Sequence, residues 1–470
     1  MQIQELKVLK GPNYWSIRRP KLIQMKLDLE DLEYRPSNKI EGFRERIEQL
    51  IPTLIEHQCS EGHRGGFFKR VEDGTWMGHI IEHIALEVQS LAGMNCGFGR
   101  TRSTGERDGI YNVVFEYDQE EAGIYTTKAA VQIAQALVNG IKYNIEADIL
   151  ALKRIHKENR LPSSLTHLIR EASKRNIPYM LLDNNSLIQL GYGNHQKQIH
   201  TDRIKPASGI LIEDLFAKGN NGRIPIISIA GSRGKTLTSL LIAHIAQAAG
   251  KNVGRSTSNY SSIQNHLTFH NNCTERDAAQ LVLIDPTVDF AVLPCDHQSI
   301  LTSGLAFQKC DVAIVTNIIS DYVGSNNIRS IEQLVRVIQV VPETVSDQGY
   351  AILNADDDLV YKMQEDLSCK IALFSISECN SHIRAHCEKG NKAAILENGF
   401  ISVLTGSDKV RLMPVEDIPI ASDRKNIDFI LAAVLSTYLF QDITLENIRQ
   451  ALQTFTPLST HKPEMLNFSN

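Results

Sequence analysis

The stretch Ile224-Pro225-Ile226-Ile227-Ser228-Ile229-Ala230-Gly231-Ser232-Arg233-Gly234-Lys235-Thr236 decides how this chain is read. Its first seven residues have the pattern of a buried strand. The glycine loop that follows runs into an apolar-periodic segment, Thr236 to Ala249, that reads as a helix. Backbone N–H groups in such a loop, together with the helix N-terminus, cradle phosphate oxygens. Lys235 would reach the phosphates, and the Thr236 hydroxyl is placed to hold a magnesium ion. Only Ser232 and Arg233 separate the first glycine from the Gly-Lys pair, a shorter spacing than the usual four residues. A plain glycine turn with a chance Lys-Thr is the alternative; the strand before and the helix after argue against it.

This G-x-x-G-K-T form resembles the ATP loop of the Mur ligase family. Apolar strands (224–230, 290–294, 311–317, 349–354 and 370–376) then alternate with helical segments (Ile331 to Val341, Asn426 to Tyr438, Leu445 to Thr454). That alternation predicts a mostly parallel sheet covered by helices. Cys310 to Ile318 and Leu353-Asn354-Ala355-Asp356-Asp357 also resemble family segments. The resemblance implies nucleotide contacts from Gly231, Ser232, Gly234, Lys235, Thr236 and Asn354.

Departures from the family are as informative. After Phe290-Ala291-Val292-Leu293 the resemblance calls for a magnesium-binding glutamate, but the chain reads Pro294-Cys295-Asp296-His297. After Thr316-Asn317-Ile318 it calls for an Asp-His pair, but the chain has Asp321-Tyr322. Tyrosine, with a reference pKa near 10, is a poor magnesium ligand at neutral pH. Asp296 or His297 could substitute only from displaced positions. Ser258-Asn259-Tyr260 stands where the family has a Thr-Asp-Gly turn, and Lys462 to Phe468 stands where it would enter a C-terminal domain. ATP and magnesium therefore remain possible cofactors of this part, with the magnesium ligands expected to be lost.

The first 145 residues carry a second resemblance. Gly11-Pro12-Asn13-Tyr14-Trp15, Glu56 to Gly62, Gly65-Gly66-Phe67-Phe68, Gly74 to Glu87, Gly97 to Arg102 and Tyr111 to Tyr117 follow one another as in the N-terminal domain of cyanophycin synthetase. That family builds a polymer of aspartate backbone with arginine on each side chain. Within this part, His79-x-x-Glu82-His83 lies in a segment that reads as a helix from Met77 to Leu91. Residues four apart share a helix face, so two imidazoles would meet one metal with a carboxylate beside them, the inverted zincin pattern. Zinc at such a site brings bound water towards neutrality and makes it a nucleophile for amide hydrolysis. A third, acidic ligand is expected from Glu87 or Glu116. Arg100 and Arg102 are expected to shape an anion-tolerant groove and bind substrate. The alternative is a helix with two satisfied histidines and a surface glutamate. His57, Cys59 and His63 read as structural.

Residues 146–221 read as helix, helix and strand, then a Gly/Asn-rich linker at Lys218 to Gly222. They resemble the opening of the ATP-grasp domain of the same family, whose long body would follow. About sixty residues cannot build such a fold. The expected organisation is an α+β domain over 1–145, an ATP-grasp remnant and linker over 146–221, and a degenerate Mur-like α/β domain over 222–470.

Composition sets the remaining bounds. The chain has 470 residues, a net charge of −5, 42% hydrophobic and 22% charged residues, an ordinary globular balance that suggests neither a nucleic-acid nor a membrane-surface partner. No run of about 18 apolar residues and no signal-peptide pattern is found. Eight cysteines lie scattered without Cys-x-x-Cys, which favours a reducing cytoplasm over a disulfide framework. Three functions follow as expectations. The first is a zinc-dependent hydrolase or binder of aspartate–arginine chains, using His79, His83 and Glu82, that supplies primers. The second is a non-catalytic partner of a full-length synthetase. The third is a Mur-type ligase with a modified site. Assembly into a homo-oligomer is implied by the resemblance.

Overall fold

The computed structural model describes residues 1–204, 212–257, 260–264, 266–269, 273–324 and 328–456. Two compact units emerge, Met1–Gly11 with Arg18–Pro162 and Pro12–Ile17 with Ser163–Asn470.

The first unit is α+β. Strands β1 (Gln2–Lys10), β2 (Lys21–Asp28), β3 (Gly99–Ser103) and β4 (Ile110–Glu116) pair antiparallel in the order β1-β2-β4-β3. Its helices are α1 (Phe43–Leu50), α2 (Gly66–Asp73), α3 (Met77–Leu91), α4 (Glu120–Asn139) and α5 (Ile145–Glu158). Helix α3 begins and ends where the sequence predicts. It is apolar nearly all round, with Ile80, Ile81, Ile84, Ala85, Leu86 and Val88 buried, and it packs against α4 as well as β3 and β4. An all-round apolar helix is a buried one. His79, Glu82 and His83 are thus carried into a low-dielectric layer where each polar atom needs a partner.

Unit two opens with α6 (Ser163–Lys174), an antiparallel three-stranded sheet of β5 (Tyr179–Leu182), β6 (Leu187–Leu190) and β7 (Lys197–His200), and the short α7 (Ile212–Leu215). A large sheet follows. Its strands are β8 (Ile226–Ala230), β9 (Val253–Ser256), β10 (Tyr260–Ile263), β11 (His266–Phe269), β12 (Phe290–Pro294), β13 (Cys310–Val315), β14 (Val345–Asn354), β15 (Lys370–Ser375), β16 (Lys392–Glu397), β17 (Phe400–Thr405) and β18 (Asp408–Pro414). They lie in the order β11-β10-β9-β12-β8-β13-β14-β15-β16-β17-β18. Every pair from β9 across to β16 is parallel, and both ends finish antiparallel. Covering helices are α8 (Lys235–Ala248), α9 (Glu275–Ile284), α10 (His297–Thr302), α11 (Ile331–Gln339), α12 (Asp358–Lys362), α13 (Ser381–Glu388), α14 (Ile427–Tyr438) and α15 (Leu445–Thr454).

This is the mostly parallel α/β architecture that the alternation implies. β8 and β12 are buried along their whole length, as strands covered on both faces must be. One face packs with Leu293, Ala313 and Val337, the other with Ile227, Leu241, Val292 and Leu431. α9 and α15 start at capping boxes, Thr274 with Asp277 and Thr444 with Asn447. β12 lies on one side of β8 and β13 on the other, so the loop after β8 sits at the topological switch point where open α/β sheets bind ligands. Ser258, Asn259 and the segment from 462 fall outside the described residues. No helix among the described residues is long and apolar enough to cross a membrane.

Candidate functional site

Two constellations stand out, one in each unit. In the first, a strap of short 3-10 turns, Pro52–Glu56 and Cys59–Glu61, runs along α3. It is tied down by backbone bonds from Gly65 N to Ile55 O (2.6 Å) and from Phe67 N to His57 O (3.1 Å). This brings His57 and Cys59 onto α3. Cys59 Sγ lies 3.2 Å from His79 Nε2, and the other ring nitrogen of His79 lies 3.1 Å from Thr75 Oγ1. One ligand atom each from Cys59, His79 and His83 falls within 4.8 Å of the others. The Phe67 ring packs against His57, His79 and His83 and dries the cluster.

Burial governs the electrostatics. It pushes His79 down to about 4, with Arg70 adding to the effect. It also lowers His83 well below the usual imidazole range, helped by His79 and His57. Both rings are neutral at pH 7, the form that ligates a metal. Burial raises Glu82 to about 7, against the opposing pull of a Thr101 hydrogen bond and the Arg100 charge.

The sequence places His79 and His83 together, and the structure does so too. It does not bring either expected acidic ligand to them. Glu116 accepts from Gly97 N and Phe98 N and pairs with Arg19, and Glu87 is bonded to His57. Cys59, set aside as structural from the sequence, is the third member. The missed signal was a His-x-Cys pair in a glycine-rich stretch without periodicity. Glu82 turns towards β3, where it accepts a 2.6 Å bond from Thr101 Oγ1 and packs on Gly99. Strand alternation puts Arg100 and Arg102 on the sheet face opposite Thr101, both exposed.

In the second unit, Gly231 and Gly234 have φ of 131° and 88°, which only glycine adopts readily. A side chain at either would strike Thr316 or the Phe429 ring. Lys235 Nζ donates to Gly231 O at 2.8 Å and lies 3.8 Å from Asp296 Oδ1. Asp296 in turn lies 3.2 Å from His297 Nδ1 and receives the Gln298 N–H as the cap of α10. His297 and Tyr322 are in ring contact at 4.2 Å, and the Tyr322 hydroxyl donates to Ser232 O at 3.3 Å. Arg233 pairs with Asp321. The substituted residues Asp296, His297, Asp321 and Tyr322 therefore converge on the loop. Glu275, unflagged in the sequence, accepts the Asp296 N–H, and burial raises it to about 7.

Of the remaining predicted nucleotide contacts, Thr236 is exposed at the start of α8. The Ser232 hydroxyl is bonded to the backbone of Ile319. Asn354 spans Thr316 O and Asp356 N, so its amide secures strand ends at the crevice.

The family Cyanophycin synthase-like N-terminal domain matches residues 24–139, and the family Mur ligase middle domain matches residues 229–406. The chain joins these two domains. It is similar to the cyanophycin synthetase of Geminocystis herdmanii, with 28% identity over 99% of this chain and 84% of that one. The cyanophycin synthetase of Crocosphaera subtropica is 29% identical over 100% of this chain and 84% of its own length. Among solved structures, a pseudomurein peptide ligase type C from Methanothermus fervidus covers 50% of each chain with 18% identity and a TM-score of 0.35. The Geminocystis match extends over 735 aligned positions against 470 residues in this cyanophycin synthetase-like chain, so at least 265 of those positions face gaps in it.

Proposed function

We propose that the N-terminal unit is a metal-dependent hydrolase of aspartate–arginine chains, and that it supplies short primers for polymer synthesis. The convergence of Cys59, His79 and His83 carries this reading. One cysteine sulfur and two neutral imidazoles are a donor set that suits zinc, and one ligand atom of each lies within 4.8 Å of the others. Three protein ligands leave a position open, as in catalytic rather than structural zinc sites. A bound zinc supplies Lewis acidity and a water acidified towards neutrality. The chain's own residues do the rest. Phe67 excludes water from one side and Thr75 orients His79; Glu82, next to His83 on α3 and titrating near 7, would leave its Thr101 bond to take up the proton of the attacking water. Polymer incubated with protein and zinc should shorten, and a Glu82→Gln variant should leave it intact. Equal cleavage by both would remove Glu82 from the reaction.

A second reading, a partner that binds and regulates a full-length synthetase, is favoured by the gaps of at least 265 positions against the Geminocystis relative. It is also favoured by Tyr322 and Pro294 at the places where magnesium ligands are expected. In that reading Lys235 and its loop hold a nucleotide without ligase turnover. Co-purification with a full-length synthetase tests it; no complex at micromolar concentrations would count against it.

A further inference from the structure

His57 and Glu87 have no part in the reading above, yet their geometry is specific. Glu87 Oε2 lies 2.7 Å from His57 Nε2, and His57 Nδ1 lies 2.8 Å from His83 Nδ1. Two ring nitrogens at hydrogen-bond distance must share one proton between them, so the chain of contacts admits few proton arrangements. Burial works to raise Glu87, but hydrogen bonds from His57 and Thr53 outweigh it and hold its carboxyl below the usual range. An ionised carboxylate only accepts, so His57 Nε2 carries the proton that it receives. With one proton on each ring, His57 Nδ1 is then bare, and the short contact across to His83 is satisfied only if His83 Nδ1 is the donor. That leaves the Nε2 lone pair of His83 free.

We infer that Glu87 and His57 are positioning residues that lock His83 in the Nδ1–H tautomer, presenting Nε2 as a ready ligand. The inference rests on the metal reading for its purpose, but not for its test. Carboxylates or carbonyls that orient a ligating imidazole are worth about 10- to 100-fold in metal affinity. Here the orienting carboxylate acts through a second imidazole. The arrangement also gives His57 a reason to sit in the strap two residues before Cys59. The same 3-10 turns deliver a ligand and the group that orients another ligand.

Two measurements on the full chain decide it. In metal-free protein, nitrogen-15 histidine spectra should show His83 protonated at Nδ1 in the wild type. In His57→Ala, and in Glu87→Leu at the far end of the relay, His83 should become a mixture of tautomers. Zinc affinity, read by competition with a chromophoric chelator, should fall about 10- to 100-fold in both variants. It should recover in part in His57→Gln, whose amide oxygen can still accept from His83. Wild-type His83 carrying its proton on Nε2 would overturn the assignment. So would unchanged zinc affinity in both variants. A wild type that binds no zinc but shows the Nδ1–H tautomer would retain the relay and remove the metal reading. Far-UV circular dichroism of each variant checks that the unit is folded, and the two variants perturb opposite ends of the relay.

Discussion

Gly234→Ala probes the nucleotide loop through two separable effects. The backbone there has φ of 88°, and holding an alanine in such a conformation costs about 1–2 kcal/mol. The new methyl would also lie well under 3.0 Å from the Phe429 ring, and relieving such an overlap costs about 1–3 kcal/mol more. The sum, about 2–5 kcal/mol, is large against the stability of a typical domain. Shrinking the neighbour separates the two. Phe429→Ala is destabilising alone, but the double variant should be more stable than the sum of the singles by the overlap, about 1–3 kcal/mol. The backbone part should remain. Native-state hydrogen exchange at the α8 amides measures local opening without requiring that both units unfold together. Strict additivity of the two substitutions would refute the packing of Phe429 on the loop.

Glu275 binds its proton more tightly in the folded chain than its ordinary value of 4.5, up to about 7. The native state therefore holds more protons than the unfolded one between these values, and stability falls as pH rises through that window. Glu275→Gln should flatten this slope in urea titrations from pH 4 to 8; an unchanged slope would show that Glu275 is not its source. Cys59→Ser and His83→Ala should each reduce zinc stoichiometry by mass spectrometry, and full occupancy in either would exclude that residue as a ligand. Lys235→Met should abolish binding of a fluorescent ATP analogue. Wild-type affinity should depend only weakly on whether magnesium or EDTA is present, because Pro294 stands where the resemblance calls for a magnesium-binding glutamate; a strong magnesium dependence would show that other carboxylates near the loop, such as Asp296, hold the ion.

Much of the fold was legible because its signals are local. α3 and α15 follow their apolar periodicity to the residue, and the parallel strands β8, β12, β13 and β15 are short apolar runs bounded by loops. β16–β18 escaped notice because an antiparallel meander at the sheet edge, such as Asp408–Pro414, mixes charged and apolar residues. The candidate metal site was half legible. A helix face relates His79 to His83 by spacing alone, whereas Cys59 and His57 reach them through irregular turns that carry no period. The faces of Arg100 and Arg102 could not be read from the sequence because β3 was not recognised as a strand. Their alternation with Thr101 along β3, once that strand is known, assigns them to the opposite face. At the loop, Asp296 and Tyr322 come from different strand ends, and only the sheet order brings Asp296 beside Lys235 and Tyr322 onto Ser232.

The most direct test of the hydrolase reading is the pH dependence of polymer cleavage in zinc-loaded protein, beside Glu82→Gln. With Glu82 as the base, deprotonated only above a pKa of about 7, the rate should rise about tenfold per pH unit below that value and level off above it. Glu82→Gln should show no such limb. A wild type that leaves the polymer uncut at every pH, or a variant with the same profile, would contradict the account.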